Sequence, residues 1–316
     1  MLLAKEAVGP DSTKKDARSP FARRPRPRER VIEALIKLVA LVSIAGVALI
    51  LVFIGKEALP VLSLREVSLF GTTDWQPVSE VPRYGVAPLV LGTLKVTAVA
   101  LAIAVPLSVG AAIYVAEIAH ARVREIVKPA IELLAGVPSV VVGFFALVVM
   151  ASWVQRVLGT EHRLNALVAG AGLAFAICPI VFSVAEDALR AVPGTYRTAA
   201  TALGSTRAQV LLRVVLPAAS PGIAAAIVLG FGRAVGETMI VVLASGNAAI
   251  LDPSLGLSTR TITATIAQEL GEVVVGSAHY HVLFALGALL FLATFAINVA
   301  GVRVVGAMRR RLGEAS

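Results

Sequence analysis

The stretch Gly194–Pro217, GTYRTAATALGSTRAQVLLRVVLP, is polar and basic, and it separates two long apolar runs in a mostly hydrophobic chain. Ala199, Ala200, Ala202 and Leu203 are good helix formers. Gly204 after them is a natural helix stop, because glycine takes left-handed backbone angles without a steric penalty. A second helical piece follows, with Leu211, Leu212 and Val215 at spacings that place them on one face. The pattern predicts a helix-turn-helix standing out of apolar surroundings, where another molecule can grip it. A charged loop capped by short helices would carry the same pattern.

The surroundings read as lipid. Of the 316 residues, 57% are apolar and 16% charged, with a mean hydropathy of +0.85, far from a soluble globular composition. The net charge of +9 would suggest nucleic acid in a soluble protein. In a membrane chain it first raises the question of which side the cations collect on, and no nucleic-acid partner is expected. The single cysteine, Cys178, excludes an intrachain disulfide and reads as a small buried side chain beside Pro179. His120, His162, His279 and His281 are scattered and form no ligand set with the acids, so neither a metal site nor a catalytic residue is expected.

Residues 1–30 hold nine Lys or Arg and prolines at 20, 25 and 27, with few large apolar residues, and are expected to form a disordered basic cytoplasmic tail. A secretory leader fits poorly, because the polar stretch is too long and no small-residue cleavage site follows the apolar run. Six runs then reach the ~20 residues a bilayer crossing requires. They are 31–54, 86–116, 133–155, 164–185, 220–245 and 282–302, within a transmembrane domain over 31–308. The expected fold is an all-α polytopic membrane protein of six transmembrane helices with both termini on one side. If that side is cytoplasmic, the inside segments hold twenty of the 29 basic residues. Outside are six, Lys56, Arg65, Arg83, Arg156, Arg163 and Arg260. The bias places both termini, and the 194–217 loop, in the cytoplasm. On the far side, Ile262, Ile266, Leu270 and Val274 form an i, i+4 stripe that predicts a short amphipathic helix, either a lid on the bundle or a docking site.

Three ionisable residues in the spans stand out. Arg233 lies roughly 20 Å from Ser220 at 1.5 Å per residue, past the middle of a ~30 Å core. An arginine there costs about 2.5–3.5 kcal/mol even on mild scales, so it must face a partner or water. Glu237 is one turn on, on the same helix face. Either the two neutralise each other beside a Gly232/Gly236 packing surface, or the guanidinium meets a passing oxyanion while Glu237 holds it ready. Thr238 adjoins the pair as a further substrate-path candidate. Lys95 sits about nine residues in from the outer edge of the second span, either near Glu237 at the outer end of the path or snorkelling to the surface. In the third run, Gly136 and Pro138 should interrupt the helix.

With those residues in view, the chain resembles a known family. The 194–217 loop is similar to the cytoplasmic loop of ABC-importer permeases, a Glu-Ala-Ala, three residues, Gly, nine residues, Ile, one residue, Leu-Pro pattern. Ala199, Ala200, Gly204, Leu216 and Pro217 match it, with Thr198 in place of the usual Glu and Val214 in place of Ile. From Asp74 to the last span, Glu132–Gly143 (ELLAGVPSVVVG), Gly232–Met239 (GRAVGETM), Trp75-Gln76-Pro77 and Gly92-Thr93-Leu94 resemble the PstC-type permease subunits of phosphate-specific ABC importers. Val142 departs from the family's frequent Tyr, and GETM differs from the GETAP of the sister subunit.

The resemblance implies the type I ABC-importer permease fold in the inner membrane of a prokaryote, carrying phosphate by alternating access. It implies a heterodimer with a second, similar permease, two cytoplasmic ATPases on Thr198–Pro217, and an extracytoplasmic phosphate-binding protein. It also implies that Arg233 and Glu237 are the charged pair needed for transport. No G-x-x-x-x-G-K-[ST] run is present, so ATP and magnesium would be bound by the partner ATPase and this subunit would be non-catalytic. A permease for sulfate or molybdate, or an ATPase-independent secondary transporter, are the alternatives.

Overall fold

The computed structural model describes residues 27–64, 68–311 and 313. The basic tail up to residue 26, and Arg65 among the counted outer cations, lie outside the described residues.

Residues 1–51 and 52–316 are separate compact units. In the first, helix α1 (Pro27–Ala58) takes up the described residues, so helix already covers the last four residues of the tail segment. Its apolar side chains, Leu35, Val39 and Val42 among them, are exposed, as a lipid solvent permits.

In the second unit the spans are α2 (Ala87–Ile118), α4 (Ser139–Leu158), α5 (Ala166–Ala191), α7 (Arg207–Gly236) and α10 (Ala278–Arg311). Between them lie α3 (Ala121–Leu134), α6 (Gly194–Ala202), α8 (Met239–Ala244) and α9 (Ile262–Glu269). With α1, six helices among the described residues are long and apolar enough to cross a membrane. A two-residue hairpin pairs Trp75 with Tyr84 and Gln76 with Arg83.

The helix ends follow local chemistry. Pro88 opens α2, where its missing N–H is no loss. Asn165 caps α5 by accepting the Val168 amide at 3.0 Å. The chain breaks between Leu134 and Ser139, at the Gly136-Val137-Pro138 predicted to interrupt it. The third crossing therefore starts at Ser139, and the half-polar α3 before it stands apart from the span.

The centre of the bundle is α5, more than half buried along its most apolar window, packed against α2 and α7. Small residues allow the approach. A Cβ at Gly170 would meet Val99 Cγ1 at 2.5 Å, and one at Gly230 would meet Val181 Cγ2 at 2.6 Å. Without a hydrophobic effect between helices in lipid, such close backbone contact supplies the packing energy. Ser108 adds an interhelical bond, its hydroxyl donating to the Cys178 carbonyl at 3.0 Å.

The run 220–245, read in the sequence as one span, is two helices. α7 ends at Gly236, Glu237 is extended (ψ 135°), and α8 starts at Met239. The predicted amphipathic stripe is also shorter than expected. Only Ile262–Glu269 is helical, with Ile262 buried and Ile266 half-buried against α10, whereas Val274 is 76% exposed beyond the helix end.

Candidate functional site

Arg233 lies in the last turn of α7, with its side chain exposed. Among the described residues no carboxylate lies within salt-bridge distance of it. It opens onto a cleft of about 510 Å³ between α7 and α10, lined by Gly232, Gly236, Phe291, Thr294 and Asn298 among others. A second groove of about 390 Å³ shares Leu229 and Asn298 with the first and leads down the same two helices to Arg309.

The helix break removes Glu237 from this cleft. Because the backbone turns extended there, its carboxylate does not stack one turn above Arg233 as helical spacing predicted. Oε1 instead accepts the amides of Thr238 and Met239, each at 3.2 Å, filling donors left open at the start of α8. The Glu237 carbonyl accepts the Thr263 hydroxyl at 2.9 Å, tying the break to α9. Thr238 directs its hydroxyl at the Gly236 carbonyl at 3.5 Å. Glu237 and Thr238 therefore shape the break, and in this conformation neither holds the guanidinium.

Lys95 is also elsewhere. It is buried, and its ammonium donates to the carbonyls of Asp252 and Ser254 at 2.8 and 3.0 Å, stapling α2 to the loop after α8. Of the four proposed path residues, the structure puts only Arg233 on the cleft. Asn298, which faces it from another helix, was missed in the sequence; a lone amide in an apolar run was the available signal.

The Gly194–Pro217 stretch folds as a helix, a turn and a second helix. Gly204 takes φ +85°, and the Gly204 and Ser205 amides return to the carbonyls of Thr201 and Ala200 at 3.0 and 3.1 Å, closing α6. Thr206 and Gln209 form a reciprocal capping box that starts α7. Leu211–Val215 is a wide π turn, so the expected single face does not form: Val215 is buried and Leu212 is exposed. Thr198 and Ala199 are exposed, Ala200 is half-buried, and the Thr198 hydroxyl turns back to the Thr195 carbonyl at 3.0 Å. Leu203 is 88% exposed, an apolar knob beside Gly204. Leu216 is half-buried and Pro217 exposed.

Arg197 anchors this element. Its guanidinium meets Glu117 at 2.6 Å and donates to the carbonyls of Val192 and Leu189 at 2.6 and 3.0 Å, joining α6 to the ends of α2 and α5. Nearby, the fully buried Glu186 pairs with Lys128 of α3 at 2.7 Å and with Arg190. The hydrogen bond to Glu186 outweighs partial burial and raises the Lys128 ammonium above its ordinary pKa.

Residues 104–314 match the family of binding-protein-dependent transport system inner membrane components. A probable ABC transporter permease protein, YqgH of Bacillus subtilis, is 34% identical over 81% of this chain and 84% of its own length. The phosphate transport system permease protein PstC of Xylella fastidiosa is 34% identical over 82% of this chain and 84% of its own. In fold, the chain is similar to a chain of a bacterial alginate ABC transporter solved with an alginate-pentasaccharide-bound periplasmic protein. That match has a TM-score of 0.60 and 16% identity over 92% of this chain and 97% of the other.

Proposed function

This chain belongs to the binding-protein-dependent transport system inner membrane components, and within them to the PstC-type permeases, and from that premise we propose that it passes inorganic phosphate across the cytoplasmic membrane of a prokaryote in an ATP-driven importer. The observation that carries the reading is Arg233: a guanidinium in the last turn of a membrane-spanning helix, opening on a cleft and, among the described residues, paired with no acid. Facing lipid, it would cost about 2.5–3.5 kcal/mol or more. Facing a path shared with a second, similar permease, its planar fork of donors meets the oxygens of an oxyanion. The groove that continues to Arg309 supports an inward exit along α7 and α10.

The positive-inside bias supports a cytoplasmic loop end with both termini on that side. Two ATPases, holding ATP and magnesium, would grip α6 and the exposed Leu203. Since α6 is tied through Arg197 to α2 and α5, its displacement would reach the spans and drive alternating access. An extracytoplasmic phosphate-binding protein would deliver the anion at the opposite end. The transport role itself is non-catalytic.

The test is radiolabelled phosphate uptake by the whole complex, intact or carrying Arg233→Gln, with co-purification of the ATPase as the control for assembly. Uptake is expected to fall about a hundredfold with assembly intact, the loss of a charge-assisted, two-pronged contact. Unchanged uptake would make Arg233 structural, and competition by excess sulfate in the intact complex would move the substrate to another oxyanion.

A further inference from the structure

We infer that Asn298, on the last helix, is the second half of the Arg233 site and supplies the hydrogen-bond acceptor by which the path takes a protonated phosphate in preference to sulfate. This rests on the anion reading of Arg233. A Cβ built on Gly232 would lie 3.8 Å from Asn298 Oδ1 and 3.9 Å from Nδ2, so the amide stands over α7 at the residue adjoining Arg233. Both side chains line one cleft.

The amide is free to act. Among the described residues, the Asn298 side chain makes no hydrogen bond. Its neighbour Thr294 is committed, its hydroxyl donating to the Leu290 and Phe291 carbonyls of its own helix at 2.8 and 2.9 Å. Asn298 is exposed along the cleft, so its donor and acceptor are both open to a polar ligand that enters there.

The chemistry then selects the ligand. Arginine offers donors only, which suits any oxyanion. Phosphate near neutral pH keeps a P–OH that must donate to something, whereas sulfate carries no proton. A path lined by donors alone would leave that P–OH unsatisfied. The Glu237 carboxylate, the nearest acid in sequence, is occupied at the α8 start. The Asn298 amide presents a carbonyl to accept from the P–OH and an NH₂ to donate to a phosphoryl oxygen. Sulfate would leave the carbonyl unmet, and a site built around a substrate hydroxyl rejects an analogue that lacks it.

The experiment uses the whole complex in proteoliposomes. Asn298→Leu is expected to lower radiolabelled phosphate uptake about tenfold, while Asn298→Gln, which keeps both donor and acceptor, retains most of it. Co-purification of the ATPase reports assembly. In a second readout, Asn298→Cys in a Cys178→Ala background is labelled with a charged thiol reagent in the absence of the binding protein. Added phosphate is expected to slow labelling, and sulfate at the same concentration is not. Unchanged uptake in Asn298→Leu, equal losses in the Leu and Gln variants, or equal protection by sulfate would each overturn the role of Asn298. Failure of the underlying reading shows separately, as an intact complex that takes up no phosphate or an Arg233→Gln variant that transports normally.

Discussion

At the end of the bundle that carries α6, buried charges are answered by others. Arg197 has a carboxylate and two carbonyls, and Glu186 has Lys128 and Arg190. In the α7/α10 cleft, Arg233 has none of these among the described residues. The two regions contain the same residue type under opposite conditions. On the proposed function, the first region transmits force, and its ions are locked across several helices so that motion of one element moves the rest. On the same proposal the second passes the anion, and its donor fork is left open, because a guanidinium already satisfied has nothing to offer an anion.

Stripping the partners from the hub of the locked region should have the largest effect. Replacing both Lys128 and Arg190 by Ala leaves the fully buried Glu186 carboxylate uncompensated, and the expected loss is about 3–5 kcal/mol in detergent unfolding. Arg197→Ala comes next, at about 2–3 kcal/mol, with weaker retention of the ATPase on purification, since α6 loses its tie to α2 and α5. Set against both, Arg233→Gln should shift the unfolding midpoint by no more than about 0.5 kcal/mol, as a change that breaks no native contact. If it destabilised as much as Arg197→Ala, the contrast between the regions would collapse.

The smallest effect is alkaline. With the folded value of Lys128 raised by Glu186, the stabilisation from that pair is complete below the ordinary lysine value near ~10.4 and is lost as pH rises through the raised one. Unfolding midpoints followed from neutral to strongly alkaline pH should therefore fall above that point in the native chain, and fall less in Lys128→Met. Parallel curves would place the coupling elsewhere.

Sequence spacing succeeded where the energetics are local. The break at Gly136 to Pro138, the turn at Gly204 and the two pieces of 194–217 depend on near neighbours, and each stands where glycine or proline chemistry puts it. The helical face assigned to Leu211, Leu212 and Val215 failed, because a π turn rotates the side chains and no residue type announces one. The pairing of Arg233 with Glu237 failed for a related reason. Four residues apart means one turn only while the helix continues, and here it ends at Gly236.

Hydrophobic runs with few charges determined, from the sequence by itself, that this is a helical membrane chain of six crossings, since a lipid solvent leaves the backbone few other ways to satisfy its polar groups. The motifs determined its family. Which side chains share the cleft, that Asn298 lines it with Arg233 while Lys95 and Glu237 do not, and that Arg197 is a clamp, were decided only by tertiary structure. Those relations join residues far apart in the chain, and they depend on how closely whole helices pack and where their backbones break.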